Sequence, residues 1–243
     1  MSNPVTIIPI TGLALGFIPV VIVAVALWRW SHGISTVFYA SLRMVLQLLA
    51  IGYVLTFIFD AEHSGWVFVI LVVMLLASSW IALRPLGSDL QRLFPTMLFA
   101  IATGTLFTLA LVIIGILRPE PWFEPRVLIP IAGMIFSNAM NTVSLAAERF
   151  EAERERHVSY LMARREALDA AMIPLLNAFF AVGLVSLPGM MTGQILSGVE
   201  PPLAVRYQIM VMCMTFGAAG ISAIVYLALQ GPRGLRNLFE SSP

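Results

Sequence analysis

The sequence contains no lysine, and this absence excludes two kinds of chemistry. All fourteen basic residues among its 243 residues are arginines. A chain without lysine can form neither a Walker-type phosphate-binding loop nor a Schiff-base nucleophile. If the protein depends on ATP hydrolysis, the nucleotide site must therefore belong to another polypeptide.

Cysteine and histidine are scarce as well. The single cysteine, Cys213, rules out a disulfide within the chain and most thiolate metal sites. His32, His63 and His157 all fall in predicted loops, so no Ser–His pair is available inside a membrane. The sequence also lacks an HExxH motif or a His/Cys cluster of the kind that binds zinc. An intramembrane enzyme is therefore a poor explanation of this chain.

Charge is sparse and apolar runs are long. Charged residues make up 11% of the chain and hydrophobic residues 59%, which is far from the composition of soluble domains. The net charge of +1, without a clustered basic surface, argues against nucleic acid as a partner. The apolar runs predict an all-α integral membrane protein in contact with membrane lipid, a single domain over residues 1–243 with about seven spans. These spans are predicted at residues 10–30, 37–59, 65–83, 96–117, 127–147, 171–187 and 203–229.

The arginines indicate the orientation of these spans. With the N-terminus outside, the inner segments carry ten arginines and the outer loops carry only Arg118 and Arg126. The acidic segment Asp60-Ala61-Glu62 then also lies outside. Because positive residues concentrate on the cytoplasmic side of membrane proteins, we expect the N-terminus outside and the C-terminus inside.

The segment 148–169 is a charged island that the same orientation puts in the cytoplasm. It holds eleven of the 27 charges. No glycine or proline occurs between Gly133 and Pro174, so the fifth span is predicted to continue as helix past the membrane surface. A straight helix over that length would reach about 60 Å, so it must break before the sixth span. We expect the break at His157-Val158-Ser159, with Ser159 as the N-cap of the next helix.

Two interpretations of this predicted cytoplasmic hairpin stay open. It is either a solvated connector or a coupling element that enters a groove on a soluble subunit. A stripe beyond the break favours a helix that lies against a membrane surface or a partner. Its members fall on one side of the predicted helix: Val158, Leu161, Met162, Arg165, Leu168 and Met172.

The fifth span carries a polar face within the membrane. The face consists of Met134, Ser137, Asn138, Asn141, Ser144 and Glu148, which recur at three- and four-residue steps. An asparagine in hydrocarbon is costly, so this face must look into protein or water. Hydrogen bonds between helices, a transport pathway or a dimer seam would each satisfy it.

Two further pairs carry open alternatives. Arg43 and Gln47 lie one turn apart in the second span, where they mark a functional site unless Arg43 extends its head group to the membrane surface. Met190-Met191 lies within a predicted loop or re-entrant turn over residues 186–194. Their thioethers either bind a soft metal ion or fill an apolar helix interface.

Several stretches occur together in a characteristic order. They are RMVLQLL at 43–49 with GYVL at 52–55, IPIAGMI at 129–135 with NAM at 138–140, VGLVSLPGMMTGQIL at 182–196, and AVRYQIM at 204–210. In this order and spacing the chain resembles the iron-export ABC transporter permease family, also called the Fet permease family. The resemblance covers most of the chain from the second span onward.

The resemblance implies a membrane-embedded permease subunit of the bacterial inner membrane that is not itself an enzyme. It would work as a homodimer with two copies of an ABC-type ATPase, which would bind ATP and Mg²⁺ while this chain binds no cofactor. Bacterial members are associated with iron export and plant members with aluminium tolerance. The segment 148–169 takes the position at which the family contacts the ATPase.

The resemblance and the residue patterns together give two sets of candidate site residues. We expect a pathway or dimer seam at Arg43, Gln47, Met134, Asn138, Asn141, Met190 and Met191, and ATPase coupling at Arg154, Tyr160, Leu161 and Arg165. A Leu-Gly-Ala-Thr-like turn that many relatives carry before the sixth span is missing here, which leaves the choice of ATPase open. Nothing in the sequence forms a recognisable iron site. An ion-coupled secondary carrier and a non-transporting scaffold are the alternatives, although no acidic residue falls clearly inside a span.

Overall fold

The computed structural model describes residues 9–31, 34–59, 64–86 and 90–231. The chain divides into two compact units, residues 1–62 and residues 63–243. The predicted outer segment Asp60-Ala61-Glu62 lies outside the described residues, as do His32 and His63. That all 243 residues form one permease domain stays a prediction.

The first unit consists of three helices in its described part. They are α1 (Ile10–Leu15), α2 (Ile18–Ser31) and α3 (Ile34–Phe59), and α2 packs against α3. The first predicted span, 10–30, is interrupted by a turn in which the Gly16 amide donates to the Leu13 carbonyl at 3.1 Å.

The second unit contains the remaining helices of the described chain. They are α4 (Ser64–Ala82), α5 (Leu90–Ala110), α6 (Pro125–Glu155), α7 (Tyr160–Ala181), α8 (Gly189–Leu196) and α9 (Pro201–Leu229). A 3₁₀ turn at Arg84–Leu86 follows α4, and α5 continues as a π-helical segment over Leu111–Leu117.

The core of the second unit lies where α5, α6 and α9 pack on one another. Small side chains make this close packing possible, as in many membrane helix interfaces. The closest approach is at Gly104 of α5, where an added Cβ would lie 2.3 Å from Ser222 Oγ and 2.5 Å from the Ala218 carbonyl oxygen of α9. A glycine at position 104 is therefore required by the distance between these two helices.

The prediction of an all-α membrane protein is confirmed. Six helical stretches of the described chain are long and apolar enough to cross a membrane. They are Thr11–Trp30, Ser35–Val54, Gly65–Leu86, Arg92–Leu117, Pro125–Glu155 and Pro201–Leu229.

The structure differs from the seven-span expectation at 171–187. The helix α7 ends at Ala181, an irregular segment follows over 182–188, and α8 is a separate short helix. Residues 171–187 are therefore not one span. The helix that contains their first part starts earlier, and its charged first half lowers its hydropathy.

The break after the fifth span is where the sequence predicts it. α6 ends at Glu155, His157 adopts a left-handed backbone conformation with φ 60°, and α7 begins at Tyr160. Ser159 occupies the N-cap position as expected, although its side chain makes no capping hydrogen bond. The 31 residues of α6 extend over about 46 Å, which exceeds a hydrocarbon core of about 30 Å, so one end of α6 projects beyond the membrane.

Candidate functional site

A groove of about 720 Å³ lies at one end of the second unit. We call it the end groove, and it is formed by the 3₁₀ turn, the start of α5 and the ends of α6 and α9. Its polar lining residues are Arg92, Thr96, Glu148, Glu151, Arg154, Glu155 and Gln230. These elements come from three separate parts of the chain that the arginine distribution assigns to one side of the membrane.

Three carboxylates of the end groove share one face of α6. Glu148, Glu151 and Glu155 are spaced by three and four residues, which places them along one side of a helix. Arg154 also lines the groove, and its guanidinium lies 5.9 Å from the centre of the Phe150 ring. The groove thus offers charges of both signs next to the predicted coupling hairpin.

The end of α6 is held by a buried carboxylate. Glu153 is only 6% exposed, and its Oε1 lies 2.7 Å from Arg149 Nη2 and 3.3 Å from Arg156 Nη1. Arg149 lies four residues before Glu153 and Arg156 three residues after it, so both pairs form at the end of α6. Because Glu153 is buried, these pairs anchor the last turns of α6 more firmly than surface pairs would.

Tyr160 ties the start of α7 to the end of α9. Its hydroxyl donates a 2.8 Å hydrogen bond to the Leu227 carbonyl, in the last turn of α9, where helix carbonyls have no partner within the helix. Its ring packs edge-on against Phe150 of α6, with ring centres 6.0 Å apart, and Arg164 lies over its face. This bracing role was missed at the sequence level, because the residues it joins are 67 positions apart.

The two sides of α7 differ in what they contact. Its buried side is a row at four-residue spacing, namely Ala163, Ala167, Ala171 and Leu175. Leu161 and Met162 are half exposed, and the Arg165 and Asp169 side chains are largely exposed. We call Leu161, Met162, Arg165 and Asp169 the α7 outer face.

The apolar stripe that the sequence predicts is therefore divided. Leu168 and Met172 are partly buried, whereas Leu161 and Met162 remain on the outside. Alanines replace the larger residues on the buried side because small side chains allow α7 to approach its neighbours closely.

The polar face of α6 turns away from the core of the second unit. Asn141 and Ser137 are exposed, and Asn138 and Met134 are partly buried. Asn138 Nδ2 donates to the Met134 carbonyl at 2.9 Å, and Ser137 Oγ donates to the same carbonyl at 3.2 Å. Both of these hydrogen bonds lie within α6 rather than between helices.

Arg43 and Gln47 belong to α3 in the first unit, one turn apart. Gln47 lines a shallow depression together with Leu48, Ala50, Ile51 and Val54. That Arg43 and Gln47 share a pathway with the polar face of α6 stays a prediction.

Met190 and Met191 occupy the first turn of α8, after the irregular segment 182–188. The backbone there includes Gly183 with φ +82°, a conformation that favours glycine. Met191 lines a cavity between α7, α8 and α9, and Met190 is not among the residues that line it. The loop or re-entrant turn is predicted over residues 186–194, whereas the irregular backbone lies earlier, at 182–188, and Gly189–Leu196 is helical.

The described part of the chain has no cluster of the common metal-ligating side chains. No group of three or more His, Cys, Asp or Glu side chains lies close enough together there to hold a metal ion. The binding of ATP and Mg²⁺ by a partner subunit stays a prediction.

Comparison with known proteins identifies the family. Residues 10–233 match the family described as Uncharacterised protein family (UPF0014). The chain belongs to this family.

Several relatives resemble the chain over most of its length. The UPF0014 membrane protein slr1647 of Synechocystis is 33% identical over 84% of this chain and 87% of its own. Escherichia coli has a relative named Probable iron export permease protein FetB, 33% identical over 75% of each chain. Protein ALUMINUM SENSITIVE 3 of Arabidopsis thaliana is 31% identical over 88% of this chain and 83% of its own. No solved structure matches the chain.

The resemblance to the Fet permease family is therefore confirmed. The relatives and the apolar helices together support a membrane permease. Nothing in these comparisons identifies the substrate of this UPF0014 member or its partner subunit.

Proposed function

We propose that this chain is the permease subunit of an ABC transporter that exports a metal ion, with iron as the first candidate. The name of the Escherichia coli relative supports both the direction and the substrate. The absence of lysine supports a separate ATPase subunit, since the chain cannot form a Walker-type site itself.

One observation carries the proposal: an exposed face of mixed character lies on a firmly braced hairpin. The α7 outer face offers two apolar side chains beside Arg165 and Asp169. Docking of a helix into a groove uses apolar anchors of this kind with charged flanks. Tyr160 holds the start of α7 to α9 through its hydroxyl and to α6 through its ring, so a force applied at Leu161 reaches the core helices.

The mechanism follows from this bracing. Closure of two ATPase subunits on ATP would press on the α7 outer face and on Arg154 at the rim of the end groove. Because α6 and α9 pack together in the core, α6, α7 and α9 would tilt as a group and alternate access to a pathway.

The proposal places the end groove in the cytoplasm and the protein in a bacterial inner membrane. The ten-to-two arginine distribution supports an outer N-terminus and an inner C-terminus. Two copies of the chain would bring the polar face of α6 to a pathway or dimer seam. Asn141 supports this arrangement, since an exposed amide on a membrane helix is costly unless another chain or water covers it.

Substitution of the α7 outer face tests the coupling role. We expect the double substitution Leu161→Ala and Arg165→Ala to lower substrate-dependent ATP hydrolysis by at least tenfold in the reconstituted complex. The physical reason is the loss of an apolar anchor and a charged contact at the partner interface. Leu196→Ala with Arg206→Ala is the matched control, because both of these side chains are exposed and lie away from the end groove.

Thermal unfolding of both variants should match the unsubstituted chain, since Leu161 and Arg165 contribute little to the core. Unchanged coupled hydrolysis in the Leu161→Ala, Arg165→Ala variant would remove the α7 outer face from the mechanism. The substrate is tested by comparing the rate of iron efflux from proteoliposomes with the efflux rates of other metal ions.

A further inference from the structure

A second cavity lies toward the start of α9, at the opposite end of that helix from the end groove. It has a volume of about 370 Å³, is open on one side, where Cys213 is exposed, and is lined by the end of α7, the irregular segment 182–188, α8 and α9. Its lining includes three sulfur-bearing side chains, Met191, Met212 and Cys213, beside Gln208 and apolar residues such as Phe179 and Leu187. We call it the sulfur-lined cavity.

The helix α9 supplies most of the polarisable atoms. Gln208 and Met212 are four residues apart, and Cys213 follows directly, so all three lie on neighbouring positions of one side of the helix. Met191 comes from the first turn of α8, which packs against α9. Residues distant in sequence thus bring two thioethers and a thiol to one cavity.

Gln208 provides an independent sign of a missing ligand. The residue is only 5% exposed, and its Oε1 is buried without a hydrogen-bond partner. A buried amide oxygen without a partner costs about 1–3 kcal/mol, so such atoms call for an explanation. An unoccupied cation position beside the oxygen would provide one.

We propose that the sulfur-lined cavity binds a soft monovalent cation of the Cu(I) class. Thioether and thiolate sulfur are the ligands that Cu(I) prefers. Cys213 would bind as the thiolate and release its proton to solvent, so that one positive and one negative charge combine into a neutral pair. Met191 and Met212 would complete a three-sulfur coordination, and the Gln208 oxygen, a hard donor that Cu(I) binds weakly, would only face the positive charge.

Charge explains why the cavity would select this class over a divalent ion. The lining contains no carboxylate and no imidazole. A divalent cation with one thiolate would leave a net charge in an apolar cavity, which is strongly unfavourable. Fe(II) is also harder than Cu(I) and gains less from thioethers.

The test measures Cu(I) binding to the purified chain in detergent, with a chromophoric Cu(I) chelator as competitor. We expect one equivalent to bind, with sulfur scatterers in the Cu K-edge X-ray absorption spectrum and no displacement by Fe(II). Cys213→Ser and Met191→Leu should each weaken binding by at least tenfold. The matched controls are Met190→Leu and Met210→Leu, because these methionines are sequence neighbours that do not line the cavity.

Three outcomes would overturn the proposal. They are no binding above that of a chain with Cys213→Ser, equal losses in the lining and control variants, and a cavity found filled by a co-purified lipid chain. A size-exclusion profile of each variant that matches the unsubstituted chain would separate a loss of binding from a loss of structure. The binding assay contains no ATPase, and its result is therefore independent of the proposed permease function.

Discussion

At the scale of single residues, the helix packing of the second unit depends on a few positions at which the side chain cannot be replaced without loss of a contact. Gly104 is the clearest of them, since its missing side chain lets α5 and α9 meet. Tyr160 is another, because one hydroxyl joins the hairpin to the last turn of α9. Neither role follows from local sequence pattern. Each depends on a partner more than 60 residues away along the chain.

Gly104→Ala should destabilise the protein by about 1–3 kcal/mol, which is typical of overpacking in a well-packed core. The added methyl group would meet Ser222 Oγ and the backbone oxygen of Ala218, and the backbone atom cannot rotate away. Unfolding in detergent, followed by circular dichroism against denaturant concentration, measures the change.

Gly217→Ala is the control for this substitution. Position 217 lies in α9, and an added Cβ there meets nothing within 4 Å apart from its own helix backbone. We expect its stability to be equal to or slightly above that of the unsubstituted chain, because alanine favours helix. Equal stability of the two variants would contradict the close approach of α5 and α9.

Tyr160→Phe should loosen the end of α9 while leaving the ring contacts in place. The substitution removes one hydrogen bond, worth about 1 kcal/mol, and leaves the Leu227 carbonyl without its partner. We expect faster amide hydrogen exchange over residues 225–231 and over the first turn of α7. Tyr207→Phe, at an exposed position near the start of α9, serves as the control. Exchange rates that do not change over 225–231 would show that the hydroxyl does not brace the hairpin.

At the scale of elements, the sequence predicts what depends on local composition. The break at 156–159 follows from a long stretch without glycine or proline that still has to turn back, and the structure has it there. The span predicted at 171–187 differs from the structure, in which the helix ends at Ala181. The average hydropathy of this stretch does not reveal that residues 182–188 are irregular. The apolar stripe of α7, predicted to lie against a membrane surface or a partner, is divided, and the buried side is formed by three alanines and Leu175.

The candidate site, too, could be predicted only where it depends on local sequence. Arg154, Leu161 and Arg165 are recognisable from the sequence as members of a charged hairpin, and the structure places all three at its exposed side or at the end groove. Their role in coupling stays a prediction. The sulfur-lined cavity could be predicted from the sequence only in part. The sequence draws attention to Met191 but gives no sign that Cys213 and Met212 line the same cavity.

At the scale of the whole molecule, the proposed function assigns transport to this chain and ATP hydrolysis to a separate subunit. In the proposed function, the charged hairpin and the long apolar helices would convert a push by a partner subunit into a tilt within the membrane. The partner would hydrolyse ATP, since this chain has no lysine for a Walker-type site. The central claim is therefore that this chain works in complex with an ATPase subunit.

The most direct test is purification of the tagged chain from native membranes in mild detergent, followed by mass spectrometry of whatever accompanies it. The account predicts an ABC-type ATPase in a one-to-one ratio, lost when Leu161 and Arg165 are replaced by alanine and retained with Leu196→Ala and Arg206→Ala. Recovery of the chain without an ATPase, from membranes in which it supports metal efflux, would contradict the account and favour an ion-coupled carrier.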